Sequence, residues 1–145
     1  FGWLFIPIVS GLMLGAFISG RLAHRWPAER TISIGFVVMV LAMASNIFVA
    51  SVAPANIVTV VGPLVLYVTG LSVMMPAITV LGLDCLPAHR GTAASMQGFL
   101  QTMTNALVAS VAVPMLYAQW LNFILGQTVF LLIAAVLWYQ LARER

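Results

Sequence analysis

Gln97, Gln101 and Asn105 recur every four residues, which puts three side-chain amides on one face of a helix. Beside them runs a row of small residues, Ala94, Gly98, Thr102, Ala106 and Ser110. Upstream, Thr69, Ser72 and Thr79 fall on roughly one face, and Ser10 precedes Gly11 in the first apolar run. The chemistry open to these groups is hydrogen bonding. The sequence holds no nucleophile–base pair, metal-ligand spacing, phosphate-binding loop or paired carboxylates, so it reads as neither an enzyme nor a cofactor or metal site. Asp84 reads as the partner of Arg90 or of the arginines near residues 21–30. A proton-carrying carboxylate inside a membrane is the alternative. His24 and His89 read as solvated loop residues. Cys85, the single cysteine, reads as a small apolar filler and cannot form an internal disulfide.

Composition says what must hold these groups in place. The chain has 145 residues, of which 63% are hydrophobic and 6% charged. A soluble domain carries roughly 25% charged residues. Arg30 and Asp84 bracket one stretch without a formal charge, and Arg90 and Arg143 bracket another. At about 1.5 Å per residue, each would extend about 80 Å as a single helix, more than twice the ~30 Å hydrocarbon thickness of a bilayer. Each stretch is therefore at least two spans. Soluble enzymes, nucleic-acid binders and secreted disulfide scaffolds are excluded, and the expected partner is the lipid bilayer. The net charge of +3 comes from short arginine clusters of the kind that orient membrane proteins, and it implies no nucleic acid.

Apolar length and punctuation predict an all-α integral membrane protein with five spans, at about 2–22, 31–53, 57–83, 92–118 and 121–142. Gly62-Pro63 and Pro76 interrupt the third. Pro54-Ala55-Asn56 turns the chain after the second, and Gln119, Trp120 and Asn122 mark a tight hairpin before the fifth. Continuous apolar runs do not alternate as barrel strands do. Five crossings put Arg21, Arg25, Arg30, Arg90, Arg143 and Arg145 on one side, as the positive-inside rule requires, so that side and the C-terminus are expected in the cytoplasm. Phe1 then starts at the opposite face, and an odd number of further spans is expected upstream.

The middles of the first, third and fourth spans carry small or polar residues, whereas Val40-Leu41-Ala42 and Phe130-Leu131-Leu132 occupy the middles of the second and fifth. The first, third and fourth are expected to face protein or a cavity, and the other two to face lipid. An amide in hydrocarbon is costly unless it is hydrogen-bonded. The amides either join neighbouring helices or line a solvated substrate cavity at mid-membrane. Convergence of three spans at one depth favours the cavity, with Ser10, Thr69, Ser72, Gln101 and Asn105 as its candidate lining. Gly11 and Gly15 form a Gly-x-x-x-Gly pair, extended by Ser19 and Gly20, which reads as close helix packing. Pro63 and Pro76 are read equally as gating bends and as ordinary membrane-helix prolines.

The stretch from Gly11 through Gly15, Gly20, Arg21 and Arg25 to Arg30 resembles the loop between the eighth and ninth helices of major facilitator superfamily transporters. It looks like the weaker second copy of the superfamily's loop motif. Ala16 stands at the motif's leading glycine and Gly20 at its usual aspartate, so the role of that aspartate is not carried over. Leu86-Pro87-Ala88-His89-Arg90-Gly91, continuing through Ser95 and Gly98 to Gln101, resembles the start of helix eleven in the bicyclomycin/chloramphenicol-resistance branch of drug:proton antiporters. Phe1-Gly2-Trp3-Leu4-Phe5 resembles that branch's start of helix eight.

The resemblance covers the whole chain as helices eight to twelve of a twelve-helix fold. It implies part of a bacterial inner-membrane exporter that exchanges a small drug-like molecule for a proton by alternating access, with helices one to seven outside this chain. A superfamily transporter of another solute, or a small accessory or assembly membrane protein, are the alternatives.

Overall fold

A computed structural model describes residues 2–52, 57–116 and 120–143. The described residues form helices and no strand: α1 (Gly2–Ala23), α2 (Ala28–Val52), α3 (Ile57–Asp84), α4 (Arg90–Leu107), α5 (Val113–Leu116) and α6 (Trp120–Arg143). A 3-10 turn, Pro87–His89, leads into α4, and a π-helical stretch, Val108–Ala112, joins α4 to α5. The expected turn at residues 54–56, Gln119 of the expected hairpin and Arg145 lie outside the described residues.

Among the described residues, four stretches are long and apolar enough to cross a membrane: Phe5–Ala23, Ala28–Val52, Val61–Asp84 and Ile124–Arg143. They are compatible with a multi-pass membrane protein. The expected fourth span, α4 with its π-helical continuation and α5, is not among them. Its length of about 40 Å suffices, but Gln97, Gln101, Thr102, Thr104 and Asn105 lower the apolarity of α4. Two features also differ from the sequence reading, the start of α2 and the continuity of α3. α2 begins at Ala28 because the Pro27 carbonyl closes its first turn, accepting from the N–H groups of Arg30 at 3.1 Å and Thr31 at 3.3 Å. α3 runs unbroken through Pro63 and Pro76. A proline removes one ladder bond, and packing against neighbouring helices compensates for it. The π-helical stretch lies just before Pro114, whose missing N–H leaves the Ser110 carbonyl without its α-helical donor.

α3 is the central helix. It packs most extensively on α2 and next on α1, while α1 and α2 barely touch each other. Glycines set both approaches. A Cβ on Gly15 would lie 2.5 Å from the Thr69 carbonyl oxygen and 2.7 Å from Ser72 Cβ, and one on Gly11 would lie 3.0 Å from the Val65 carbonyl oxygen. On the other side, a Cβ on Gly35 would lie 2.6 Å from Met74 Cβ, and one on Gly70 would lie 3.0 Å from the Gly35 carbonyl oxygen. Gly11, Gly15 and Ser19, spaced four apart, are the buried face of α1.

The core lies between α2, α3 and α6, where Met39, Met43, Met74, Ile124 and Leu131 are buried. Unbranched methionines fill the irregular gaps that close glycine contacts leave. Val40, Leu41, Phe130 and Leu132, at the middles of α2 and α6, are exposed as a lipid-facing surface would be, but each helix also buries a face. α2 does not simply face lipid: Thr31, Ile32, Gly35, Met39, Ala42 and Met43 are buried along one face. α4, expected to face protein or a cavity, has no buried residue. An apolar helix middle looks the same whether its neighbours are lipid tails or methionines, so composition at mid-depth did not separate the cases.

The Trp138 indole N–H donates to Ser33 Oγ at 3.3 Å. That contact sets the last turns of α6 beside the first turns of α2, and both stand next to the C-terminal end of α3. Arg30, Arg90 and Arg143 therefore sit at one end of the bundle, and the rod from α4 to α5 runs between its two ends.

Candidate functional site

The five residues expected to line one cavity occupy two separate places. Ser10 Oγ donates to its own helix, at the Pro7 carbonyl, 2.7 Å away. Thr69 Oγ1 lies 2.8 Å from the Val65 carbonyl oxygen and 3.2 Å from that of Gly11, and Ser72 Oγ donates to the Leu12 carbonyl at 2.8 Å. Thr69 and Ser72 therefore fasten α3 to α1. The glycines bring the α1 backbone close enough for a hydroxyl to reach it, a common way of joining membrane helices.

Gln101 and Asn105 lie apart from that seam. Both are exposed on α4, and neither side chain has a hydrogen-bond partner among the described residues. α4 touches α3 lightly, with Gln97 Oε1 3.6 Å from where a Cβ on Gly82 would stand. The hydroxyls beside the amides are satisfied within the helix, Thr102 Oγ1 donating to the Gly98 carbonyl at 2.8 Å and Ser95 Oγ to that of Thr92 at 2.9 Å. Gln97 abuts α3, whereas Gln101 and Asn105 are the part of the amide row left without protein contact, flanked by exposed Phe99, Leu100 and Met103.

The loop motif divides in the same way. Gly11 and Gly15 pack against α3, whereas a Cβ on Gly20 would meet nothing within 4 Å. The Arg21 guanidinium lies over the Phe17 ring, 4.7 Å from its centroid. Arg25 and Arg30 are exposed around the α1–α2 turn. Arg90 Nη2 donates to Asp84 Oδ1 at 2.8 Å, closing the α3–α4 connection. The two side chains are 62% and 53% exposed, so the pair is worth at most about 1 kcal/mol.

Sequence reasoning missed a cavity of about 440 Å³ between α2, α3 and α6. Phe36, Ile78, Leu81, Ala134, Leu137 and Leu141 are among its lining residues. No periodic polar signal marks it, because its walls resemble any lipid-facing surface. A smaller cavity of about 150 Å³ lies between α1, α2 and α3, lined by Ser19, Thr31 and Pro76 among others. Thr31 Oγ1 is buried there with no hydrogen-bond partner among the described residues. Among the described residues no cluster of His, Cys, Asp and Glu stands ready to hold a metal ion.

No family model, no curated protein and no solved structure matches the chain. The fold and site thus define a class: an all-helical chain whose long apolar helices suggest a membrane protein.

Proposed function

We propose that the chain is the part of a major facilitator superfamily transporter that holds helices eight to twelve. On this reading the whole protein is a bicyclomycin/chloramphenicol-resistance-type exporter in a bacterial inner membrane, exchanging a small drug-like molecule for a proton. The observation that carries it is the amide row on α4. Gln101 and Asn105 are exposed and without protein partners among the described residues, beside exposed Phe99, Leu100 and Met103. Amides left to lipid tails would each cost several kcal/mol, on the order of 2–7, so they face water and a polar substrate. The gathering of Arg30, Arg90 and Arg143 at one end supports five crossings with the C-terminus in the cytoplasm.

The experiment is Gln101→Leu and Asn105→Leu in the whole transporter, with resistance to several unrelated drugs normalised to the amount of protein in the membrane. Altered selectivity at normal abundance is expected. Uniform loss that tracks abundance would assign the amides to helix packing and remove the cavity.

A further inference from the structure

The 440 Å³ cavity adjoins a second one of about 380 Å³ at the arginine end of the bundle, the two sharing wall residues. Both are lined by Glu29, Trp138 and Ala142, and the second adds Trp26, Arg30 and Ser33. Side by side they make up a slot of two adjoining parts. Its inner chamber is walled by Phe36, Met74, Ile78, Leu81, Leu137 and Leu141. Its outer vestibule carries a guanidinium, a serine hydroxyl and two indoles.

We propose that the slot is a binding site for an anionic phospholipid, with one acyl chain in the chamber and the phosphate beside Arg30. The proposal rests on the apolar helices lying in a bilayer. Volume fits: small-molecule sites run to about 300–1,000 Å³ and are mostly apolar with a few placed polar groups. Charge fits as well. Arg21, Arg25, Arg30, Arg90 and Arg143 stand at this end against Glu29 and Asp84, and Asp84 is paired with Arg90. Glu29 already has an interaction partner within the fold. Of these charges Arg30 and Glu29 line the vestibule and no arginine among the described residues lines the chamber, which puts the head of an anionic amphiphile at Arg30. Basic pockets between membrane helices take such headgroups, and Trp26 and Trp138 are the ring type that sits at headgroup level. A hydrophilic anion would gain nothing from the chamber, and a neutral apolar molecule would gain nothing from Arg30.

Indole fluorescence tests this directly. With Trp3 and Trp120 replaced by Phe, both remaining indoles flank the slot. The chain is reconstituted in phosphatidylcholine vesicles containing a minor fraction of phosphatidylglycerol brominated on its acyl chains. Parallel vesicles contain the same fraction of brominated phosphatidylcholine. The proposal expects several-fold stronger quenching by the anionic lipid. Arg30→Gln should abolish that preference, and Ala134→Phe, which narrows the chamber, should lower quenching by the anionic lipid to the level of the neutral one. Equal quenching by the two lipids in the parent chain overturns the site without any appeal to a variant. A preference that survives Arg30→Gln overturns the headgroup position. No quenching by either lipid overturns the bilayer placement itself.

Discussion

Trp138 and Ser33 are joined by a hydrogen bond although 105 positions separate them in the chain. The Ser33 hydroxyl accepts from the indole at 3.3 Å and donates its own hydrogen to the Glu29 carbonyl at 2.9 Å. The bond closes the bundle, because it brings the last long helix back to the first turns of α2. It also places Arg143, at the end of α6, beside the first turns of α2.

A double-mutant cycle measures that closure. Ser33→Ala and Trp138→Phe should each destabilise the chain, and the double variant should be less destabilised than the sum. The coupling expected for an interhelical hydrogen bond in a membrane protein is about 0.6 kcal/mol, up to about 1.7. Thermal unfolding in detergent micelles reads it, and strict additivity would mean that the two side chains do not communicate.

Glycine substitutions should separate packing from mere composition on α1. Gly15→Ala puts a methyl group 2.5 Å from the Thr69 carbonyl oxygen, so the helices must part. A loss of about 1–3 kcal/mol is expected. Gly20→Ala meets open space and should be neutral, or stabilising by up to about 1 kcal/mol through helix propensity. Equal effects at the two positions would contradict the α1–α3 seam.

Thr31→Val keeps the shape of the side chain and removes a buried hydroxyl that has no hydrogen-bond partner among the described residues. Stability should rise by about 1 kcal/mol, since an unsatisfied buried polar group carries its desolvation cost into the fold. A loss of stability would reveal a hydrogen-bonding partner in the adjoining cavity.

Sidedness gives a fourth test. With Cys85 replaced by Ser, a cysteine at position 88 and one at position 143 should be labelled by a membrane-impermeant maleimide from the same side. That side should be the cytoplasmic one. Labelling from opposite sides would mean that the rod from α4 to α5 does not cross the bilayer.

The helices were legible in the sequence because charge-free runs and arginine clusters leave few other arrangements. The α1–α3 seam was legible in part, through the spacing of Gly11 and Gly15. What Thr69 and Ser72 bond to was not, since a hydroxyl at mid-depth looks the same whether it meets water or a carbonyl 2.8 Å away. Gly35 and Gly70, each a lone glycine within apolar sequence, gave no periodic signal, yet they face each other across a close α2–α3 contact. Gln101 and Asn105 were legible as a stripe, but the loose seating of α4 depends on three-dimensional packing that spacing alone does not encode. The apolar chamber left no trace in the sequence, because Leu137 and Leu141 become its walls only once α6 lies beside α2 and α3.

The methionines divide sharply by environment, and oxidation chemistry follows that division. Met39, Met43 and Met74 are 3%, 4% and 6% exposed, whereas Met13, Met96, Met103 and Met115 are each about half exposed or more. Sulfoxide formation turns an apolar side chain into a polar one, and susceptibility follows access. Oxidants would spend themselves first on the outward thioethers, where an added oxygen disturbs little. The three sulfurs at the α2–α3 contact are shielded for as long as the bundle stays shut, so oxidative damage there would report opening of the fold.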